Sequence, residues 1–167
     1  MTSNLLPTCR FMCRTLVHKW FVFQAGLRTR APLWRLIIHD WTKFTPAEAP
    51  HYGRQQFGAA DDMVGFAQAW NHHQKSHRHH WEWYIPLTAH KFSTLKGCDP
   101  LPMPESSVRE MVADWLGASR VHDGFWQTDV DGWEWLRRER PSMRLHDDTQ
   151  LMIDRVLEEY FRNPIAR

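Results

Sequence analysis

Apolar residues recur along this chain every three to four positions, and no stretch alternates with the period of two expected of a half-buried strand. The segment PTCRFMCRTLVHKWFVFQAGL reads as a first helix ending near Gly26, where glycine accepts a left-handed C-cap. APLWRLIIHDW reads as a second, short helix, with Pro32 suited to its first turn. TPAE, residues 45–48, has the shape of a capping box: Thr45 as N-cap, Pro46 at N1 and Glu48 at N3. Asp61 or Asp62 would then cap MVGFAQAWNHHQKSHRHHWEWY, taken as one continuous helix. A connection over residues 86–104 leads to PESSVREMVADWLGAS, with Pro104 near its start. Residues 121–145 read as irregular, with two Asp/Gly turns, and form either a lid over a pocket or a packed loop. A final helix over 147–162 places Leu151, Met152, Val156, Leu157 and Tyr160 on one side, to complete a bundle or to form a dimer contact. The pattern predicts an all-α fold and one domain over residues 1–167.

Composition narrows the function classes. At 167 residues, with 43% apolar and 24% charged positions, the chain can bury a core without staples. A net charge of +2, from 21 basic and 19 acidic residues, makes no strong case for a polymeric nucleic-acid partner. Cys9, Cys13 and Cys98 show no CxxC spacing; Cys9 and Cys13 are expected as small buried hydrophobes in a reducing compartment. Apolar runs such as WFVF are too short to span a bilayer and no signal-peptide pattern opens the chain, so a cytoplasmic protein without membrane contact is expected. The ten tryptophans are scattered along helical segments, which favours core packing over base stacking for most of them.

Chemistry enters with NHHQKSHRHHW, which holds His72, His73, His77, His79 and His80. Elsewhere, three polar positions fall where a helix should be apolar. His18 lies on the stripe Phe11, Thr15, His18, Val22; Asp40, preceded by His39, follows Leu33, Leu36 and Ile37 at inward spacings; Asp114 follows Met111. Taken singly, His18 could be a hydrogen-bonded core residue, and Asp114 could pair with Arg109 or Arg120. A carboxylate on an apolar face costs several kcal/mol unless it is neutralised, paired or bound to a cation. Two carboxylates with several histidines suggest one shared solution, and imidazole with carboxylate suits a divalent transition metal better than calcium. The HD pairs at His122 and His146 read as turn or cap chemistry, and His51 and His90 as surface residues.

The order His18, His39-Asp40, a histidine-rich helix, then Asp114 resembles the HD-domain superfamily of metal-dependent phosphohydrolases. Its motif runs H…HD…D over an α-helical bundle. HDWTKF adds Lys43 three residues after the aspartate, as in branches with a two-metal centre. HDWTKF, AWNHH, HHW and MPESSVREMVADW together look like a family of small phage and bacterial proteins, a likeness that bears on fold and ligands rather than substrate.

The resemblance implies an HD-like helical bundle holding one or two divalent ions of Mn, Co, Zn, Ni or Fe. His18, His39, Asp40 and Asp114 would hold the first, and Asp40 would bridge to a second held by His73 and His80, with His79 close behind. Two-metal branches usually draw these histidines from different helices, whereas on one continuous helix His73, His77 and His80 would share a face. Lys43 would stabilise charge on phosphoryl oxygens, and a histidine not spent on metal, His79 foremost, would protonate the leaving oxygen. The implied partner is a small phosphate ester, most often a nucleotide. A diiron oxygenase of the same superfamily and a non-catalytic metal- or nucleotide-binding module are the alternatives. Trp41, Trp81 and Trp115 each follow a candidate ligand and are expected to pack behind it and fix its orientation.

Overall fold

The computed structural model describes residues 5–86 and 99–165. Among these are seven α-helices, several short 3₁₀ turns and no strand: α1 (Leu5–Thr29), α2 (Leu33–Ile38), α3 (Ala49–Phe57), α4 (Met63–Ser76), α5 (Glu105–Asp123), α6 (Glu134–Glu139) and α7 (Asp147–Phe161). The fold is all-α. No helix among the described residues is long and apolar enough to cross a membrane.

The central pair is α1 against α5, with α3 on the N-terminal half of α1 and α7 packed on α5. On α1 the buried positions Phe11, Thr15, Val22, Ala25, Gly26 and Thr29 keep helical spacing and so form one face. Gly117 allows α5 to approach closely, since a Cβ there would lie 2.8 Å from the Val22 backbone nitrogen. Gly26 has a different role from the expected cap. α1 runs through it to Thr29, Arg30 takes the left-handed conformation (φ 58°), and the bare face of Gly26 receives Leu36 of α2. A main core formed by α1, α5, α7 and the segment after α5 is joined by a smaller cluster in which Phe11 stacks on Tyr52 at 5.1 Å.

Several local expectations change. Residues 121–145 are not a loose lid: Trp126 and Trp133 are buried in the main core, and Trp133 Nε1 donates to Ser119 Oγ at 2.8 Å. On α7 Val156, Leu157 and Tyr160 are buried as expected, but Ile153 is buried in place of Leu151, which is 67% exposed, because the packed face is set by where α5 lies. Cys9 and Cys13 are exposed and not buried; Cys98, His90 and most of the 86–104 connection lie outside the described residues. TPAE forms turns instead of a capping box, and α3 begins only at Ala49. Asp62 caps α4 as expected, accepting from the Gly65 N–H at 3.0 Å. That helix ends at Ser76 and does not continue to Tyr84: His77 is extended, and a 3₁₀ turn, Trp81–Tyr84, follows.

Candidate metal centre

Five local structures deliver side chains to one buried point beside the α1–α5 contact. His18 comes from the packed face of α1, as its stripe position implies, and Asp114 comes from the facing side of α5. Asp40 arrives differently. Leu33 and Ile37 are 56% and 68% exposed, so the stripe on α2 does not point inward. Instead the helix stops, His39 is extended, and Asp40 takes the left-handed conformation (φ 55°) that reverses the chain into a 3₁₀ turn, Trp41–Phe44. A short polar side chain tolerates that conformation better than most, yet such backbone costs about 1–3 kcal/mol and persists only where its surroundings enforce it. Lys19 enforces it by donating to the carbonyls of Ile37 and His39. His73 sits in the last turns of α4, while His79 and His80 come from the chain beyond its end, so the break at Ser76 is what gathers them.

Three groups of donor atoms result; Asp40 belongs to two of them, and the third is His39, His79 and Glu110. In the first, His18 Nε2 is 2.9 Å from Asp114 Oδ1 and 3.5 Å from Asp40 Oδ2, while His39 Nε2 is 3.3 Å from Asp114 Oδ1 and 3.5 Å from Asp40 Oδ1. In the second, Asp40 Oδ1 lies 3.3 Å from His73 Nε2 and 3.5 Å from His79 Nε2, with His80 completing the set. Two ligands bonded to one cation at about 2.0–2.2 Å stand about 3.0–3.5 Å apart, so these separations suit a shared ion. The hydrogen-bond pattern agrees. The Nε2 atoms of His18, His39, His73, His79 and His80, and Oδ1 of Asp40, are all buried without a hydrogen-bond partner. Buried polar atoms are rarely left so, and a cation held in each group around Asp40 would satisfy these six.

The opposite ring nitrogens of His39, His73 and His79 are occupied. Glu110 Oε1 accepts from His39 Nδ1 at 3.0 Å and from His79 Nδ1 at 3.1 Å, and Arg35 Nε donates to its other oxygen at 2.6 Å. Glu48 Oε2 accepts from His73 Nδ1 at 3.0 Å, and its Oε1 accepts from His72 Nδ1 at 2.7 Å. An ionised carboxylate can only accept, so these bonds keep a proton on Nδ1 and turn Nε2 to the centre, as the nitrogen that would give up its proton to a cation. Thr42 Oγ1 lies 3.3 Å from His73 Nδ1 and 2.7 Å from His77 Nε2, which ties His77 to the wall and away from the donor set. His72 points to the surface. His79, expected as a proton donor, instead stands with the candidate ligands, since one ring nitrogen faces Asp40 and the other is bonded to Glu110.

Burial alone would push the carboxyls of Asp40 and Asp114 up. The charges of His39, Lys43 and His73 outweigh this at Asp40, and bonds from His18 and His39 outweigh it at Asp114, so both sit well below the usual range. Burial likewise pulls against His39, but Asp40, Asp114 and Glu110 raise it to about 9. Burial holds His80 neutral and lowers His77 to about 3. Lys43 Nζ donates to Asp40 Oδ2 at 2.6 Å.

Of the three tryptophans that follow candidate ligands, Trp115 is buried and Trp81 is partly buried against the main core, whereas Trp41 is 56% exposed and supports nothing. Asp114 pairs with neither arginine, for Arg109 binds Glu105 and Glu159 and Arg120 donates to the Gly124 carbonyl. Glu48, Glu110, Thr42 and His122 carry roles that the sequence reading missed. Only Glu110 has a signal there: it lies four residues before Asp114, on the same side of α5. His51 bonds to Asp62 at 2.8 Å, away from the centre.

Fold and site together define an all-helical protein whose buried histidines and carboxylates can hold a metal ion. Residues 8–159 match a family model described as "Family of unknown function (DUF5662)", and the chain belongs to that family. No curated protein and no solved structure matches it.

Proposed function

We propose that this chain is an HD-type metal-dependent phosphohydrolase acting on a small phosphate ester. One observation carries the reading: five unpartnered histidine nitrogens converge around the Asp40 carboxylate, beside a charged lysine and two open cavities. The ligand order His18, His39-Asp40, Asp114 is the one expected from the HD resemblance. With Asp40 common to both groups, the site suits two divalent transition ions sharing one carboxylate. Such ions supply Lewis acidity, lowering the pKa of a water from 15.7 to about 7.

The protein's own groups then have defined tasks. Glu110 and Glu48 hold the ligand imidazoles in one tautomer and orientation. Lys43, buried against Asp40, keeps its charge and faces the cavity in which Arg14 and His122 also stand, so this wall stabilises phosphoryl oxygens as their charge grows.

The test is phosphate release by metal-loaded protein from a panel of nucleotides and simple esters, with Lys43→Ala in parallel. The reading predicts turnover in the wild type and a loss of about 10²–10³ in kcat for Lys43→Ala with metal content retained. Absence of turnover across the panel with Mn, Co, Zn, Ni and Fe would overturn it, and oxygen consumption by the iron form would assign oxygenase chemistry in its place.

A further inference from the structure

Two cavities open on the candidate centre, and their chemistries are opposite. The larger, about 570 Å³, is bordered by His79, His80 and Asp114 and walled by Trp70, Trp81, Trp115 and Trp135. Among the described residues no lysine or arginine lines it, and its charged groups besides Asp114 are the carboxylates of Glu82, Asp123 and Glu139. Glu82 Oε1 accepts from Gln74 at 2.7 Å, while its Oε2 is buried without a hydrogen bond, 3.9 Å from His80 Nδ1. The smaller, about 290 Å³, borders His18, His80 and Asp114 and carries Lys43, Arg14 and His122. Arg14 and His122 touch across it, at 3.1 Å. Trp70, His80, Asp114, Ala118 and His122 line both cavities, so the two lobes adjoin at the donor atoms.

The geometry points to a bipartite substrate site, resting on the phosphohydrolase reading: the basic lobe takes the phosphate, and the tryptophan lobe takes a flat aromatic ring carried by the ester's organic part. Indole faces stack on any flat π system, and the apolar walls favour it over a flexible hydrated chain. The carboxylates repel further phosphates or other anionic groups on the ring side and accept hydrogen bonds from ring-borne N–H or O–H donors, Glu82 Oε2 having no hydrogen bond of its own. The substrate class is therefore a phosphate ester of an aromatic-bearing alcohol whose far end is uncharged or cationic. In the reaction the oxygen of water bonds to phosphorus and the ester P–O bond breaks. One hydrogen of the water ends on the departing alcohol and the other stays with the phosphate.

The test uses the metal-loaded full chain, with naphthyl phosphate and glycerol phosphate as substrates and naphthol as a binding probe read by tryptophan fluorescence. The wild type is expected to show a KM for naphthyl phosphate about tenfold below that for glycerol phosphate. Trp135→Ala brings the ratio of the two KM values towards one, with the loss in KM and not in kcat, and Trp135→Phe restores most of it. Equal KM values for the two esters in the wild type would overturn the proposal. If no ester is turned over, the phosphohydrolase reading fails separately, and naphthol binding alone decides the lobe: quenching lost in Trp135→Ala supports it, and no binding by the wild type sinks it. Should Trp135→Ala not fold, Glu139→Lys tests the charge argument. It should lower the KM for carboxyphenyl phosphate several-fold, and an unchanged KM there would contradict the acidic lobe.

Discussion

Val22 meets Gly117 across the α1–α5 pair, and one turn earlier on α1 His18 meets Asp114 across the same two helices. The first contact is complete: Val22 is fully buried and packed backbone to side chain, with nothing left to satisfy. The second is close yet incomplete, because at 2.9 Å the His18 Nε2 still has no aligned partner. The difference teaches that helix packing which needs no ligand places ligands rigidly beside it. The apolar region accounts for the fold, and the polar region keeps donor atoms that can hold a cation, which would then add stability by mass action.

The comparison breaks most sharply at Asp40. Asp40→Asn keeps a residue that tolerates the left-handed turn but removes the carboxylate common to both donor groups. Metal titration should show a loss of at least about 100-fold in affinity at both groups, while the helical circular dichroism persists. His80→Ala should weaken the second group alone, and equal losses at both would refute the division. From the other side, Gly117→Val forces a Cβ to within 2.8 Å of the Val22 backbone nitrogen. Overpacking there should cost about 1–3 kcal/mol in a thermal melt with or without metal.

Glu110→Gln sharpens the contrast by leaving every ligand in place. Because one oxygen of Glu110 holds a histidine from each group, metal affinity should fall about 10–100-fold, and at both groups. A smaller effect is tied to pH. His77 is neutral in the fold, with its pKa lowered to about 3 by burial, whereas the unfolded chain takes up a proton near 6.5. Its contribution is present above that value and is lost as pH falls towards 3, at up to about 1.4 kcal/mol per pH unit. Denaturant melts should therefore show the metal-free wild type losing more stability than His77→Gln between pH 6.5 and 4. Smallest of all, Leu151→Ser on the exposed side of α7 should change stability by less than about 0.5 kcal/mol.

What the sequence made legible follows from how local each feature is. The helical class, the inward aim of His18 and the place of Asp114 depend on 3.6 residues per turn, and both residues sit well inside long helices. Asp40 was recognised for an insufficient reason, since its direction comes from a left-handed turn and from Lys19, not from the α2 stripe. The stripe on α7 is right at Val156, Leu157 and Tyr160 and wrong at Leu151, because the position of α5 decides whether Ile153 or Leu151 faces inward. His79 and His80 depend on a helix break at Ser76 that no glycine or proline announces. Glu48 was masked by a plausible cap, and its histidines lie 24 and 25 residues away in the chain. Such partners are set by tertiary packing alone.

The most direct test is elemental analysis of the untagged wild-type protein, stripped with chelator and then re-equilibrated with Mn, Co, Zn, Ni and Fe. Two tightly held divalent ions per chain are the predicted result, one for each group around Asp40. A chain that retains none of these metals would contradict the account, and the six buried donor atoms would need another partner.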